Sequence, residues 1–158
     1  MRTPAAVARW VRRRGLALSG RGVTVPALLG AALVGATSAI HLHLWLAGYR
    51  YVPGLRVAFL AQALGGFVLA TALAVARLAV LAWLGALFMA ACAGALVLSA
   101  TVGFLGVHDG LGAPWAATSL VVELAGSALL ASAGVAAVRP PRRRRAGGQE
   151  GCSSFTPN

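Results

Sequence analysis

Four uninterrupted apolar runs, at residues 23–47, 57–76, 78–105 and 115–138, dominate this chain. At 1.5 Å of rise per helical residue, about 20 residues cross a ~30 Å hydrocarbon layer, so each run is long enough to span. Between them lie only short breaks: Gly48 to Arg56 with the turn signal Pro53-Gly54, a bare Arg77, and a loop holding His108-Asp109-Gly110 and Gly112 to Pro114. A backbone in lipid must satisfy its own polar groups, which leaves helices or closed barrels. No run shows the alternation of polar and apolar residues that a barrel strand requires, so the barrel is excluded. The expected fold is all-α, a four-transmembrane-helix bundle.

Composition supports that choice of solvent. Residues of the AVILMFWYC set make up 59% and charged residues only 11%, against roughly 25% charged in soluble domains. A chain so poor in charge has too little polar surface to cover itself in water.

The charge that remains is one-sided, with 14 basic residues, all arginine, against 3 acidic and a net charge of +11. Nucleic acid is not the expected partner, because the arginines flank the apolar runs instead of forming a patch. Arg2, Arg9, Arg12, Arg13, Arg14 and Arg21 precede the first run, Arg77 lies between the second and third, and Arg139 and Arg142 to Arg145 follow the fourth. The other two loops hold only Arg50 and Arg56. Cytoplasmic loops collect positive charge, so both termini and the Arg77 turn are expected in the cytoplasm of a bacterial cell, with the protein in the plasma membrane. The expected partners are the lipid bilayer and its anionic headgroups, together with a second copy of the chain or another subunit of a membrane complex.

Residues 1–22 form a basic leader in which 5–18 can make a short amphipathic helix on the headgroups or remain a charged tail. The first run exceeds a signal-peptide core in length, and Gly20-Arg21-Gly22 separates it from the arginines, so it is expected to stay attached as a span. Residues 139–158 read as a basic, then disordered, cytoplasmic tail. Cys92 falls within an apolar run and Cys152 in the tail, which places them at different depths and argues against a disulfide.

Polar groups inside the spans are the natural places to look for function. Counted from Gly48, His41 lies about 10 Å down its helix. Gln62 lies about 9 Å from Arg56, and Glu123 about 12 Å from Trp115. Ser99 and Thr101 fall near the corresponding end of the third run. His41, Gln62, Ser99 and Glu123 therefore form a candidate intramembrane polar cluster in the outer half of the bilayer. Within it, Glu123 is expected to pair with His41 and share a proton. The alternative is that Glu123 is simply hydrogen-bonded and locks the bundle. Replacing Glu123 by Gln is expected to alter stability or activity strongly.

His41 and His43 are two residues apart and point about 200° apart on a helix, so they do not serve one metal. His41 shares a face with Thr37 and Ser38 and is taken as the inward residue. A haem would need a second axial ligand on another helix, and a metal would have to combine one histidine with Glu123 and Asp109. No cofactor is assigned on this basis. His43, Arg50 and Asp109 make a candidate outer-face site, with Arg50 and Arg56 serving as interfacial anchors or as an anion or headgroup site. Gly30, Gly35, Ala39, Gly65, Gly66, Gly126 and Gly134 are candidates for close helix approach. There is no phosphate loop, G-x-S-x-G, H-E-x-x-H or strand-borne G-x-G-x-x-G, and no catalytic residue is assigned.

The segment Ile40-His41-Leu42-His43-Leu44-Trp45, then Gly48-Tyr49-Arg50, Pro53 and Phe59-Leu60, together with Glu123, resembles a group of small uncharacterised four-helix integral membrane proteins of actinobacteria. The resemblance covers roughly residues 38–130 and implies a four-helix membrane fold without implying an activity. Three classes of role follow from the whole reading: a non-enzymatic bundle or accessory subunit, a proton-coupled carrier or channel using His41 and Glu123, and a redox, haem or quinone-binding subunit.

Overall fold

The computed structural model describes residues 17–18, 21–103, 112–113 and 115–138. It contains four long helices: α1 (Arg21–Ala47), α2 (Leu55–Ala76), α3 (Ala79–Thr101) and α4 (Ala116–Val138). A single 3-10 turn, Tyr49–Tyr51, follows α1. All four are long and apolar enough to cross a membrane, and the fold is a four-transmembrane-helix bundle. The residues 5–16 of the leader, the His108-Asp109 loop, the 139–158 tail and Cys152 lie outside the described residues.

Helix ends depart from the apolar runs where local chemistry decides. Helix α1 starts at Arg21, which puts Pro26 in its second turn, where the missing N–H costs one helical hydrogen bond. Helix α2 starts two residues before its run, behind Gly54 at φ 84, a left-handed conformation that glycine adopts freely. Helix α3 stops at Thr101 instead of 105; its cap Val102 and Gly103 both donate backbone N–H bonds to the Leu98 carbonyl.

The α2–α3 link is as short as the lone Arg77 implied. Arg77 caps α2 in the left-handed region (φ 49), donating its N–H to the Leu73 carbonyl at 3.2 Å and its Nε to the Ala74 carbonyl at 3.2 Å. Leu78, extended, then begins α3. Leu18 packs against this end: its N–H donates to the Arg77 carbonyl at 2.7 Å, and its side chain is buried in the core.

Packing follows the logic of helices in lipid, where large aliphatic side chains gain little by facing one another and small residues allow close approach. Val68, Val75, Leu87 and Val121 face outward, while Ala27, Ala31, Ala63, Ala82, Ala86, Ala93 and Ala133 line the interior. Helix α1 packs extensively on α2 and on α4, and α4 on α3, whereas α2 and α3 touch little despite being neighbours in sequence.

Leu130 shows how the seams close. It is fully buried, and a Cβ placed at Gly30 of α1 or Gly85 of α3 would come within 2.5 Å and 2.7 Å of it. One leucine from α4 therefore occupies two glycine hollows at once. Leu130→Ala should lower bundle stability by about 2–4 kcal/mol, since neither backbone can close the void; thermal unfolding in detergent measures it.

Close approach also occurs at Gly66, Gly126 and Gly134, which meet Ser38, Met89 and Trp83. The expectation fails at Gly35 and Gly65, where an added Cβ would meet nothing within 4 Å, and at Ala39, which is exposed. Gly85, not among the candidates, belongs with the contact glycines. Gly65 and Gly66 differ because adjacent helical positions point about 100° apart, so only one faces the neighbouring helices.

Candidate functional site

His41, Gln62, Ser99, Ser119 and Glu123 converge at the end of the bundle that carries the α1–α2 connector. Thr37, Ser38 and His41, at i, i+1 and i+4 of α1, are all buried. Ser38 returns its hydroxyl to the Val34 carbonyl at 2.7 Å, which satisfies it within its own helix. Thr37 instead donates its hydroxyl across the interface to Oε1 of Glu123 on α4, at 2.9 Å. The Thr37 carbonyl accepts from Nδ1 of His41 at 2.8 Å.

That last bond assigns the tautomer. A carbonyl oxygen only accepts, so Nδ1 carries a proton, and in the neutral ring Nε2 is left as an acceptor. The direct His41–Glu123 pair expected from sequence is thus replaced by a relay through one residue. Thr37 gives its side chain to Glu123 and its backbone to His41. The physical reason is depth: the threonine hydroxyl, one turn before His41 on α1, reaches the carboxylate.

Glu123 is only 1% exposed, and its second oxygen, Oε2, is buried without a hydrogen-bond partner. It is also the one acidic side chain among the described residues. An unsatisfied carboxylate oxygen costs more in a low-dielectric interior than in water, and such groups are rare enough to call for an explanation.

A cavity of about 100 Å³ lies against this group. Its wall includes His41, Gln62, Ser99 and Glu123, so the four members of the sequence-derived cluster border one space contributed by all four helices. Gln62 donates an Nε2 N–H to Sγ of Cys92 at 2.7 Å, bridging α2 and α3 where those helices otherwise pack sparsely. An aromatic wall completes it: Tyr49 stacks on Phe59 at 4.8 Å and 6°, and Phe59 lies 5.2 Å from the His41 ring. The cavity is smaller than the ~150 Å³ that admits a benzene ring, yet it has room for several waters, each needing about 10–15 Å³.

Thr37 and Cys92 escaped the sequence reading of the cluster as members with bonds of their own. Threonine and cysteine are common in apolar helices, and only their partners on other helices distinguish them. The i, i+4 spacing of Thr37 and His41 was the available signal.

The outer-face candidates separate. His43 is exposed and sets its ring edge-on to Trp115 at 6.0 Å. Arg50 lies elsewhere, its guanidinium 4.8 Å over the Tyr51 ring, beside a different surface depression from the one His43 borders. Asp109 is outside the described residues. Among the described residues, no three His, Cys, Asp or Glu side chains converge as a metal site.

Comparison with protein-family models, curated proteins and solved structures finds no match to this chain.

Proposed function

We propose that this chain is a non-enzymatic multi-pass protein of the bacterial plasma membrane that takes up and releases a proton at Glu123. It works as the proton-handling element of a dimeric carrier or as an accessory subunit of a larger membrane complex. The observation that carries this reading is the state of Glu123: one oxygen fixed by Thr37, the other without a partner, in a residue bordering a cavity large enough for water. A hydrated chamber supplies a route for the proton, and Nε2 of His41 supplies a second acceptor on the same wall.

Both termini and the Arg77 turn lie in the cytoplasm in this reading, because the arginine count is twelve on that side against Arg50 and Arg56 on the other. The cavity then opens from the outer half of the bilayer. Kinship with the small four-helix membrane proteins of actinobacteria is part of the same proposal. Four helices are few for a complete transport path, and a second copy would extend it. The cavity volume favours water and protons over a haem or quinone ring.

Infrared difference spectroscopy between acidic and alkaline buffer, on protein in nanodiscs, tests the central claim. Acidification is expected to give a carboxylic-acid carbonyl band that is larger in the wild type than in Glu123→Gln, the excess being the Glu123 contribution. A difference spectrum identical in the two proteins would sink the reading. Asp109 and Glu150 contribute equally to both samples and cancel in the comparison.

A further inference from the structure

On the lipid-facing side of the connector, Trp45, Arg50, Tyr51 and Arg56 rim a depression of about 640 Å³ that continues along α2. Its lower wall is Val57, Leu60, Ala61 and Leu64. These sit at i, i+3, i+4 and i+7, a single stripe on one helix face about 10 Å long. The upper part is bordered by two arginines and the lower part only by hydrocarbon. Neither arginine has a carboxylate partner among the described residues, since Glu123 is buried elsewhere.

The rim is held in place. Trp45 donates its indole N–H to the Arg56 carbonyl at 2.9 Å, tying the end of α1 to the first turn of α2. The Arg50 guanidinium rests on the Tyr51 ring, which occupies one face of its plane and leaves its N–H edge free for an oxyanion. No acidic side chain lies in the first turn of α2 to compete for that charge.

We propose that this depression binds one anionic phospholipid, its phosphodiester between Arg50 and Arg56 and one acyl chain along the α2 stripe. Charge complementarity selects the headgroup: two arginines without a carboxylate partner among the described residues, at an aromatic-marked interface, match a phosphate bearing no compensating cation. The stripe distinguishes a lipid from a free phosphate, because inorganic phosphate gains nothing from Leu60 and Leu64. This site is independent of the Glu123 chamber and stands whether or not that group exchanges protons.

Native mass spectrometry of detergent-solubilised protein with phosphatidylglycerol, phosphatidylcholine or inorganic phosphate tests it. Wild-type chain is expected to retain one more phosphatidylglycerol than the Arg50→Gln/Arg56→Gln variant, whose affinity at this site falls about thirtyfold for two lost arginines. Ala61→Trp fills the furrow while keeping both charges, and should lose the same lipid. Phosphatidylcholine and inorganic phosphate should give no such difference. Equal lipid occupancy in wild type and both variants would overturn the proposal, as would equal retention of phosphatidylcholine. Retention by Ala61→Trp alone would overturn the acyl-chain half and reduce the site to a phosphate contact. Circular dichroism checks that each variant is folded, and Arg50→Gln alone, in the exposed connector, substitutes if the double variant is not.

Discussion

Gly66→Leu should destabilise the bundle by about 3 kcal/mol, while Gly65→Leu one position away should leave it near wild type. A side chain at Gly66 would run into Oγ of Ser38 and approach its Cβ to 3.2 Å and Phe88 Cζ to 3.1 Å. Ser38 has little room to yield, being buried with its hydroxyl bonded to the Val34 carbonyl. The clash would therefore push α2 from α1 along one of the most extensive interfaces in the molecule. At Gly65 nothing lies within 4 Å, so a leucine there meets only lipid. Both substitutions remove a helical glycine and gain similar propensity, so the difference between the two melting temperatures isolates the steric term. Equal melting temperatures would show that the α1–α2 seam is looser than described.

The second large effect is expected at Thr37. Thr37→Val preserves shape and deletes the hydroxyl, leaving Glu123 with neither oxygen bonded by the protein. Leaving a buried carboxyl unpaired costs about 1–3 kcal/mol, more than the hydrogen bond itself returns. In bundles within lipid, inter-helix hydrogen bonds measured by double-mutant cycles average about 0.6 kcal/mol and reach about 1.7. The single variant should thus lose more stability than the coupling energy extracted from a cycle with Glu123→Leu. Thr37→Ser, which keeps the donor, should recover most of the loss. If Thr37→Val unfolds at the wild-type temperature, the contact does not restrain the bundle. The absence of any Glu123 infrared response in a Thr37→Val protein of normal stability would separate positioning of the carboxyl from folding.

These two experiments address different layers of the same arrangement. Gly66 lies where α2 comes close to Ser38 of α1, and His41 of α1 and Gln62 of α2, one turn along, border the cavity. Thr37 sets where the Glu123 oxygens lie within it. The proposed proton site needs both, because an expanded cavity admits enough water to screen the carboxyl, and a mobile carboxyl can find other partners.

Much of the molecule was legible from one dimension. Span number, helical state and the minimal Arg77 turn follow from run length and from the requirement that a backbone in lipid satisfy itself. The common depth of His41, Gln62, Ser99 and Glu123 followed from counting residues along helices, because rise per residue is constant. Partner identity did not follow. Thr37 and His41 share one face of α1, and a difference of one turn in depth, finer than counting from assumed helix ends resolves, decides that Thr37 bonds Glu123. Rotation separates Gly66 from Gly65, and the 3-10 turn that follows α1 carries Arg50 to a different depression from the one His43 borders.

The amino-acid order alone therefore determined that four helices are long and apolar enough to cross a membrane and that His41, Gln62, Ser99 and Glu123 lie at similar depths, since both depend only on local geometry and solvent. Which helices touch was decided by the tertiary structure. Small residues mark the seams that formed: Leu130 of α4 sits between Gly30 of α1 and Gly85 of α3, and Gly66 of α2 faces Ser38 of α1, while α2 and α3 touch little. The cavity beside Glu123 exists because of that choice, and no residue specifies it by itself.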